Sequence, residues 1–377
     1  MIPSSALTRE LKFRDPEGAR ALASSLARNV AAIGRPVSLM HVCGSHEQAI
    51  ARYGLRATFP RDLNVIMGPG CPVCITDTPE VDEAVVLARR GMRIVTYGDM
   101  LRVPGSSLSL ADAQAAGARI EVVYGALQAV ELARASPNEP LVFFATGFET
   151  TAVATAAVIL DDPPPNFFVL SAHKYIPPVM EIVAEMPETR VEGFLAAGHA
   201  ATITGYALFE RFVERHRIPV VVAGFEPLDI LAGLVQLVEF VREGRAEVRN
   251  CYPRCVTRDG NVRAQAKLWR VFRPIGGKWR GIAHVPNGNL RLRDQWAHLD
   301  ARRRFPIDLA SLWDNAPPEL AQRCRCGDIM AGITSPSACT LFGTDCTPEA
   351  PVGACMVSTE GTCRIWHQYG GVPELRR

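Results

Sequence analysis

Leu63-Asn64-Val65-Ile66-Met67-Gly68-Pro69-Gly70-Cys71-Pro72-Val73-Cys74 runs within a few residues into Thr78-Pro79-Glu80-Val81-Asp82-Glu83-Ala84-Val85-Val86-Leu87-Ala88-Arg89-Arg90-Gly91. The first five residues read as a short, nearly continuous apolar strand of the kind covered on both faces of a parallel sheet. The second segment reads as a helix. Thr78 can cap it, Pro79 suits its first turn, and Glu80, Asp82 and Glu83 favour the positive end of its dipole. Val81, Ala84, Val85 and Ala88 share one face, and Gly91 ends it. Strand, reactive turn and helix in this order are the repeat of an α/β layer structure.

Working outward, runs of the same texture recur at Val37 to Val42, Arg93 to Tyr97, Ile120 to Tyr124, Leu141 to Ala145, Phe167 to Leu170, Gly193 to Ala197 and Pro219 to Ala223. The apolar stretch Ala152 to Leu160 suits a buried helix. The fold class is therefore α/β, with two Rossmann-like parallel-sheet domains at 1–125 and 126–240. From about residue 241 arginine, tryptophan and cysteine rise and long apolar runs stop. That predicts a third, loop-rich domain over 241–377.

The 377 residues are 48% hydrophobic and 21% charged, an ordinary globular balance with ample core. A formal net charge of +2 gives no argument for nucleic acid or a membrane surface. Arg302-Arg303-Arg304 reads as a solvated face. The N-terminal residues lack the apolar core of a secretory signal, and no stretch approaches the ~20 apolar residues of a membrane helix. The expected location is the cytoplasm, where thiols stay reduced and dense cysteine points to metal or redox chemistry.

Nearly every apolar run ends in small or reactive residues. Cys43-Gly44-Ser45-His46-Glu47 follows the first run and Gly68 to Cys74 the second. Tyr97-Gly98-Asp99, Thr146-Gly147-Phe148-Glu149, Ser171-Ala172-His173-Lys174, Gly198-His199 and Gly224-Phe225-Glu226 follow later ones. Sites in open α/β sheets form at the carboxyl ends of strands, so these clusters should meet in a cleft. Cys71 and Cys74, three apart at a helix start, suit a dithiol pair with at least one lowered pKa. Cys43 and His46 could hold iron, or His46 could move a proton. Glu149 could orient a ligand or a proton, Asp99 is a candidate catalytic residue with a turn former as its plain alternative, and Glu47 reads as solvated. No Gly-x4-Gly-Lys-Ser/Thr loop is present, which excludes a Walker-type nucleotide site.

Six of the eleven cysteines lie in the tail, at 324, 326, 339, 346, 355 and 363. Four thiolates are what a cubane iron–sulfur cluster takes, and two would remain. The intervals are too irregular for a common zinc ribbon, although structural zinc is the plain alternative. Met at position 67 denies the chain a Cys-x3-Cys-x2-Cys motif and with it radical SAM chemistry.

Cys43-Gly44-x-His46, Gly68 to Cys74, Tyr97-Gly98-Asp99-Met100-Leu101-Arg102-Val103-Pro104-Gly105, Thr146 to Thr151, Gly224 to Asp229 and Met356-Val357-Ser358-x-Glu360-Gly361 together resemble the HypD family of hydrogenase maturation factors, in that order. The resemblance spans almost the whole chain. It implies a scaffold on which iron receives cyanide and carbon monoxide to form the Fe(CN)2CO unit of nickel–iron hydrogenases. It implies the small chaperone HypC and the cyanide donor HypE as partners, and ultimately the hydrogenase large subunit. Carried over, Cys43 would ligate the iron with His46 nearby, and Cys71 and Cys74 would be a redox dithiol. Cys324, Cys339, Cys346 and Cys363 would bind a [4Fe-4S] cluster, with Cys326 and Cys355 a second thiol pair relaying electrons. Ala196-Ala197-Gly198-His199-Ala200 departs from the expected pattern, and Cys251 and Cys255 read as incidental.

A rival reading is a cluster-dependent thiol–disulfide oxidoreductase acting on a protein through Cys71 and Cys74. Another is a zinc-stabilised interaction module.

Overall fold

A computed structural model describes residues 13–308 and 319–370. All eight expected strands form: β1 Val37–His41, β2 Leu63–Met67, β3 Arg93–Thr96, β4 Ile120–Val122, β5 Leu141–Gly147, β6 Phe167–His173, β7 Gly193–Ala197 and β8 Val220–Ala223. Three further strands follow, β9 Val248–Asn250, β10 Phe272–Lys278 and β11 His284–Leu292. Strands β2, β5, β6, β7 and β8 are buried at every position, which is why they read as unbroken apolar runs rather than alternating ones.

The strands make two parallel sheets, ordered β2-β1-β7-β8-β9 and β4-β3-β5-β6. Fold class is thus α/β with parallel sheets, as the runs predict. The pairing crosses the expected division near residue 125, because β3 and β4 join β5 and β6, while β7 and β8 return to β1. The second sheet is inserted between β2 and β7. The expected start of a loop-rich unit near 241 is crossed too: β9 extends the first sheet, and β10 and β11 form an antiparallel hairpin. Beyond it, the cysteine-bearing tail is short helices and turns, the loop-rich texture the sequence predicts.

The helix after the Cys71 turn runs Thr78–Arg89, with Asp77 rather than Thr78 as its cap. Asp77 and Glu80 form a reciprocal capping box, which satisfies two otherwise orphaned amides. Val81, Ala84, Leu87 and Ala88 are buried on the face toward the second sheet. Each large side chain there contributes about 1.5–3 kcal/mol by leaving water. Lys174 at the end of β6 is fully buried and donates to Glu80 at 2.7 Å and to Asn289 of β11 at 3.1 Å. That link ties helix, sheet and hairpin together.

Arg302 is not part of a solvated face. It pairs with Glu83 and donates to the Ser171 carbonyl at 2.7 Å, while Arg303 stays outside against Asp294. No described helix is long and apolar enough to cross a membrane.

Candidate functional site

Cys43 caps the helix Gly44–Arg52 from extended backbone at the carboxyl end of β1. Two glycines let other segments approach it. A Cβ at Gly70 would lie 2.2 Å from the Cys43 nitrogen, and one at Gly44 would lie 2.5 Å from the Glu360 carbonyl oxygen. Gly44 donates its amide to Gly70 at 3.1 Å. The Cys43 turn therefore rests directly on the Gly68–Cys74 loop and under the tail.

The Cys43 thiol is buried, with Sγ 3.9 Å from His199 Nδ1. Burial, then the charge of Glu360, push it up to about 12, against opposing amides of His46 and Ser45. His46 donates from Nε2 to the Gly224 carbonyl at 3.0 Å and packs on Phe225. Burial, then His41, bring its pKa down to about 3, so the ring is neutral. Its buried Nδ1 keeps a lone pair with no partner among the described residues. His199, at the start of the helix Gly198–Thr204, is a base within hydrogen-bond reach of the thiol. Burial lowers its pKa, and Glu360 and Glu149 counter that.

Glu149 sits at its helix start with Oε1 accepting the Ile176 amide at 2.8 Å, while Oε2 lacks a partner among the described residues. Burial raises it to about 7. Asp99 accepts from Ser358 Oγ at 3.0 Å and from the Thr359 amide at 3.3 Å, so it anchors the tail rather than only shaping its own turn.

Cys71 and Cys74 are joined as a disulfide, wholly buried, and Cys71 Sγ accepts the Cys74 amide at 3.2 Å. Cys74 Sγ lies 3.9 Å from the carbonyl oxygen of Ala354, the neighbour of Cys355. Arg280, at the hairpin tip, donates to Thr76 at 2.7 Å and Pro104 at 2.9 Å, and Gly281 abuts Gly327. Tail and disulfide loop are thus packed through both the hairpin and the helix Ala354–Val357.

The tail cysteines converge. Cys326 is within hydrogen-bond reach of Cys324 and Cys355, which hold it well below the ordinary thiol value; Cys355 is pushed well up by Cys326 and Cys363. Cys346 accepts the Val352 amide at 3.3 Å and lies close enough to Cys363 and Cys339 to feel their charge; Cys324 feels Cys346 in turn. Among the described residues no three His, Cys, Asp or Glu side chains stand in a metal-holding arrangement. The donor chemistry still fits an iron–sulfur cluster, since Cys346 lies near Cys324, Cys339 and Cys363, and the free thiols of Cys326 and Cys355 stand in hydrogen-bond reach of one another beside them.

The chain resembles known proteins over nearly all its length. A family model described as HypD, hydrogenase formation hypA family, matches residues 17–370. The chain belongs to the HypD family. It is 42% identical over 370 residues to the hydrogenase maturation factor HypD of Azotobacter vinelandii, covering 95% of this chain and 96% of the relative. The same-named factor of Cupriavidus necator is 41% identical over 380 residues, with 97% of each chain covered. That of Rhizobium leguminosarum bv. viciae is 41% identical over 382 residues, with 97% and 98% covered. Membership places the chain among hydrogenase maturation factors.

Several residues of the family chain behave otherwise than the sequence suggests. Glu47 is fully buried, not solvated, and accepts from His41, Arg56 and Trp366. His173 turns to Thr155 Oγ1 at 2.9 Å and Lys174 to Glu80. Cys251 and Cys255 are free thiols, the second exposed. His41, Arg56, Arg280 and Trp366 were not singled out. His41 lies in the apolar run Val37 to Val42 and precedes Cys43 by two positions, the one local signal that could have found it.

Proposed function

We propose that this chain is the scaffold on which iron receives cyanide and carbon monoxide during hydrogenase maturation. One observation carries the reading: the Cys43 turn lies in backbone contact with the loop of the Cys71–Cys74 disulfide. A thiolate is a suitable soft anchor for low-spin Fe(II), the substrate ion here. Cys43 would bind it together with a cysteine of the small chaperone HypC. His46, neutral and with a free Nδ1, would face the same turn. HypE would deliver cyanide, and the finished unit would pass to the hydrogenase large subunit.

Cys324, Cys339, Cys346 and Cys363 would hold a [4Fe-4S] cluster. When bound, such a cluster supplies single electrons at low potential. The chain's own thiols handle pairs. With Cys326 and Cys355 reduced, exchange with the Cys71–Cys74 disulfide breaks one S–S bond and forms another. Two electrons and two protons then reside on Cys71 and Cys74. Contact between the Cys74 and Cys355 segments supports that exchange. Burial of both Cys71 and Cys74 weighs against the rival reading of an oxidoreductase acting on folded proteins.

The test is infrared spectroscopy of the anaerobic, iron-loaded complex with HypC. Bands of metal-bound cyanide and carbon monoxide are expected and should vanish in Cys43→Ala. An intact, iron-loaded complex without those bands would refute the scaffold reading.

A further inference from the structure

Glu47 has no part in the proposal above, yet it is among the most heavily bonded carboxylates in the molecule. It is fully buried. Its Oε2 accepts from His41 Nε2 at 2.8 Å, both oxygens accept from Arg56 at 2.6 Å, and Oε1 accepts from Trp366 Nε1 at 2.8 Å. Burial alone would raise its pKa, but the charge of Arg56 and the bonds from His41 and Arg56 outweigh that and keep it well below the carboxylate range.

The far ends of these bonds matter. His41 Nδ1 faces the Cys43 carbonyl oxygen at 3.1 Å, so the ring bridges Glu47 to the backbone of the cysteine at the centre of the site. Trp366 belongs to the helix Thr362–Tyr369, three residues beyond Cys363, and the Arg56 guanidinium lies over its ring at 5.4 Å. A continuous line of contacts thus runs from the helix bearing Cys363 to Cys43: Trp366 and His41 both donate to Glu47, and the other edge of the His41 ring is seated against the Cys43 carbonyl. The same helix has a second anchor that avoids Glu47: Thr362 Oγ1 lies 2.9 Å from Met67 Sδ at the end of β2.

We propose that Glu47 is a positioning residue, which fixes the Cys43 backbone through His41 and makes that position depend on docking of the Cys363 helix through Trp366. The proposal rests on Cys43 being the working thiol, but not on what that thiol holds. Losing the link lets the Cys43 turn open and exposes a thiol that is otherwise closed off. Buried hydrogen bonds to a charged group are worth enough that their loss changes such an opening equilibrium by about tenfold.

Peptide-resolved iodoacetamide alkylation of the full chain, purified anaerobically with its tail intact and without substrate iron at Cys43, measures this directly. Exposed Cys255 serves as the internal control. Trp366→Phe and Glu47→Gln should each speed alkylation of Cys43 about tenfold relative to Cys255. The double variant should exceed the faster single by no more than about twofold, because both cut one line. Thr362→Val, which loosens the same helix elsewhere, should leave the Cys43 rate within about twofold of the parent. Near-ultraviolet circular dichroism selects variants that remain folded, and either of the first two suffices. Unchanged Cys43 rates in a folded Trp366→Phe or Glu47→Gln chain overturn the proposal. So does equal acceleration by Thr362→Val, or multiplication of the two effects in the double variant. Because no substrate iron is bound at Cys43, this outcome is independent of the infrared test of the scaffold.

Discussion

At the scale of single residues, Glu149 shows how burial converts to a pH dependence. Its carboxyl is raised by burial to about 7 from an ordinary 4.5. The folded chain therefore holds a proton there that the unfolded chain has released. Stability is full below the unfolded value and falls as pH rises from about 4.5 through 7, by roughly 3 kcal/mol at most. Glu149→Gln should abolish that component, so the drop in urea midpoint between pH 5 and pH 8 shrinks; an unaltered drop refutes the assignment. His173 acts in the opposite direction. Burial lowers it to about 3, so the fold loses stability as pH falls below the unfolded imidazole value, and His173→Gln should flatten that acid limb in the same titration. Residues of this kind differ in how far the sequence betrays them. Cys43, His46, Cys71 and Asp99 stand beside glycines where apolar runs end, and chemistry at strand ends is a local pattern. Glu47 sits within a helix at a position that reads as surface. Its burial depends on Trp366, 319 residues away, and no local pattern carries that.

At the scale of elements, strands and helices were legible where burial is two-sided and one-faced respectively. β5 and β6 are wholly buried, so their composition alone marks them. The hairpin β10–β11 was not legible, because most of β10 is exposed and Gly276-Gly277 breaks its period near a register shift. Its anchors, Asn289 and Arg291, look like surface residues until Glu80 is placed beside them. That arrangement makes a measurable claim. Lys174→Met leaves Glu80 buried with Arg291, 3.6 Å away, and the more distant Arg302 as its charged neighbours. The expected cost is about 3 kcal/mol in equilibrium denaturation, the usual penalty for removing one member of a buried pair. Adding Glu80→Gln should recover part of it. A double variant less stable than Lys174→Met alone would show that the pair does not act through charge.

Across the whole molecule, the sequence betrays the eight buried strands of the first two thirds but not which of them pair, since two buried apolar strands carry no mark of their partners. Insertion of β3 to β6 between β2 and β7 follows from register, visible only in the fold. That insertion turns the carboxyl ends of two sheets toward one cysteine-rich tail. Cys43, Cys71 and His199 come from the first sheet, and Asp99 and Glu149 from the second. The tail touches both: Ser45 donates to Glu360 at 3.0 Å, while Asp99 accepts from Ser358 and Thr359. The Ser358–Gly361 turn is therefore a bridge anchored at two ends, Glu360 on the first sheet's side and Ser358 on the second's. Asp99→Ala should release only the second-sheet end. Hydrogen exchange resolved by peptide should then quicken at 356–361, while amides of β1 and β2 keep their protection, because Glu360 and Trp366 still hold the Cys43 side. If the first-sheet amides quicken in step with the tail, the bridge is one cooperative unit with both sheets, and the two anchors cannot be separated.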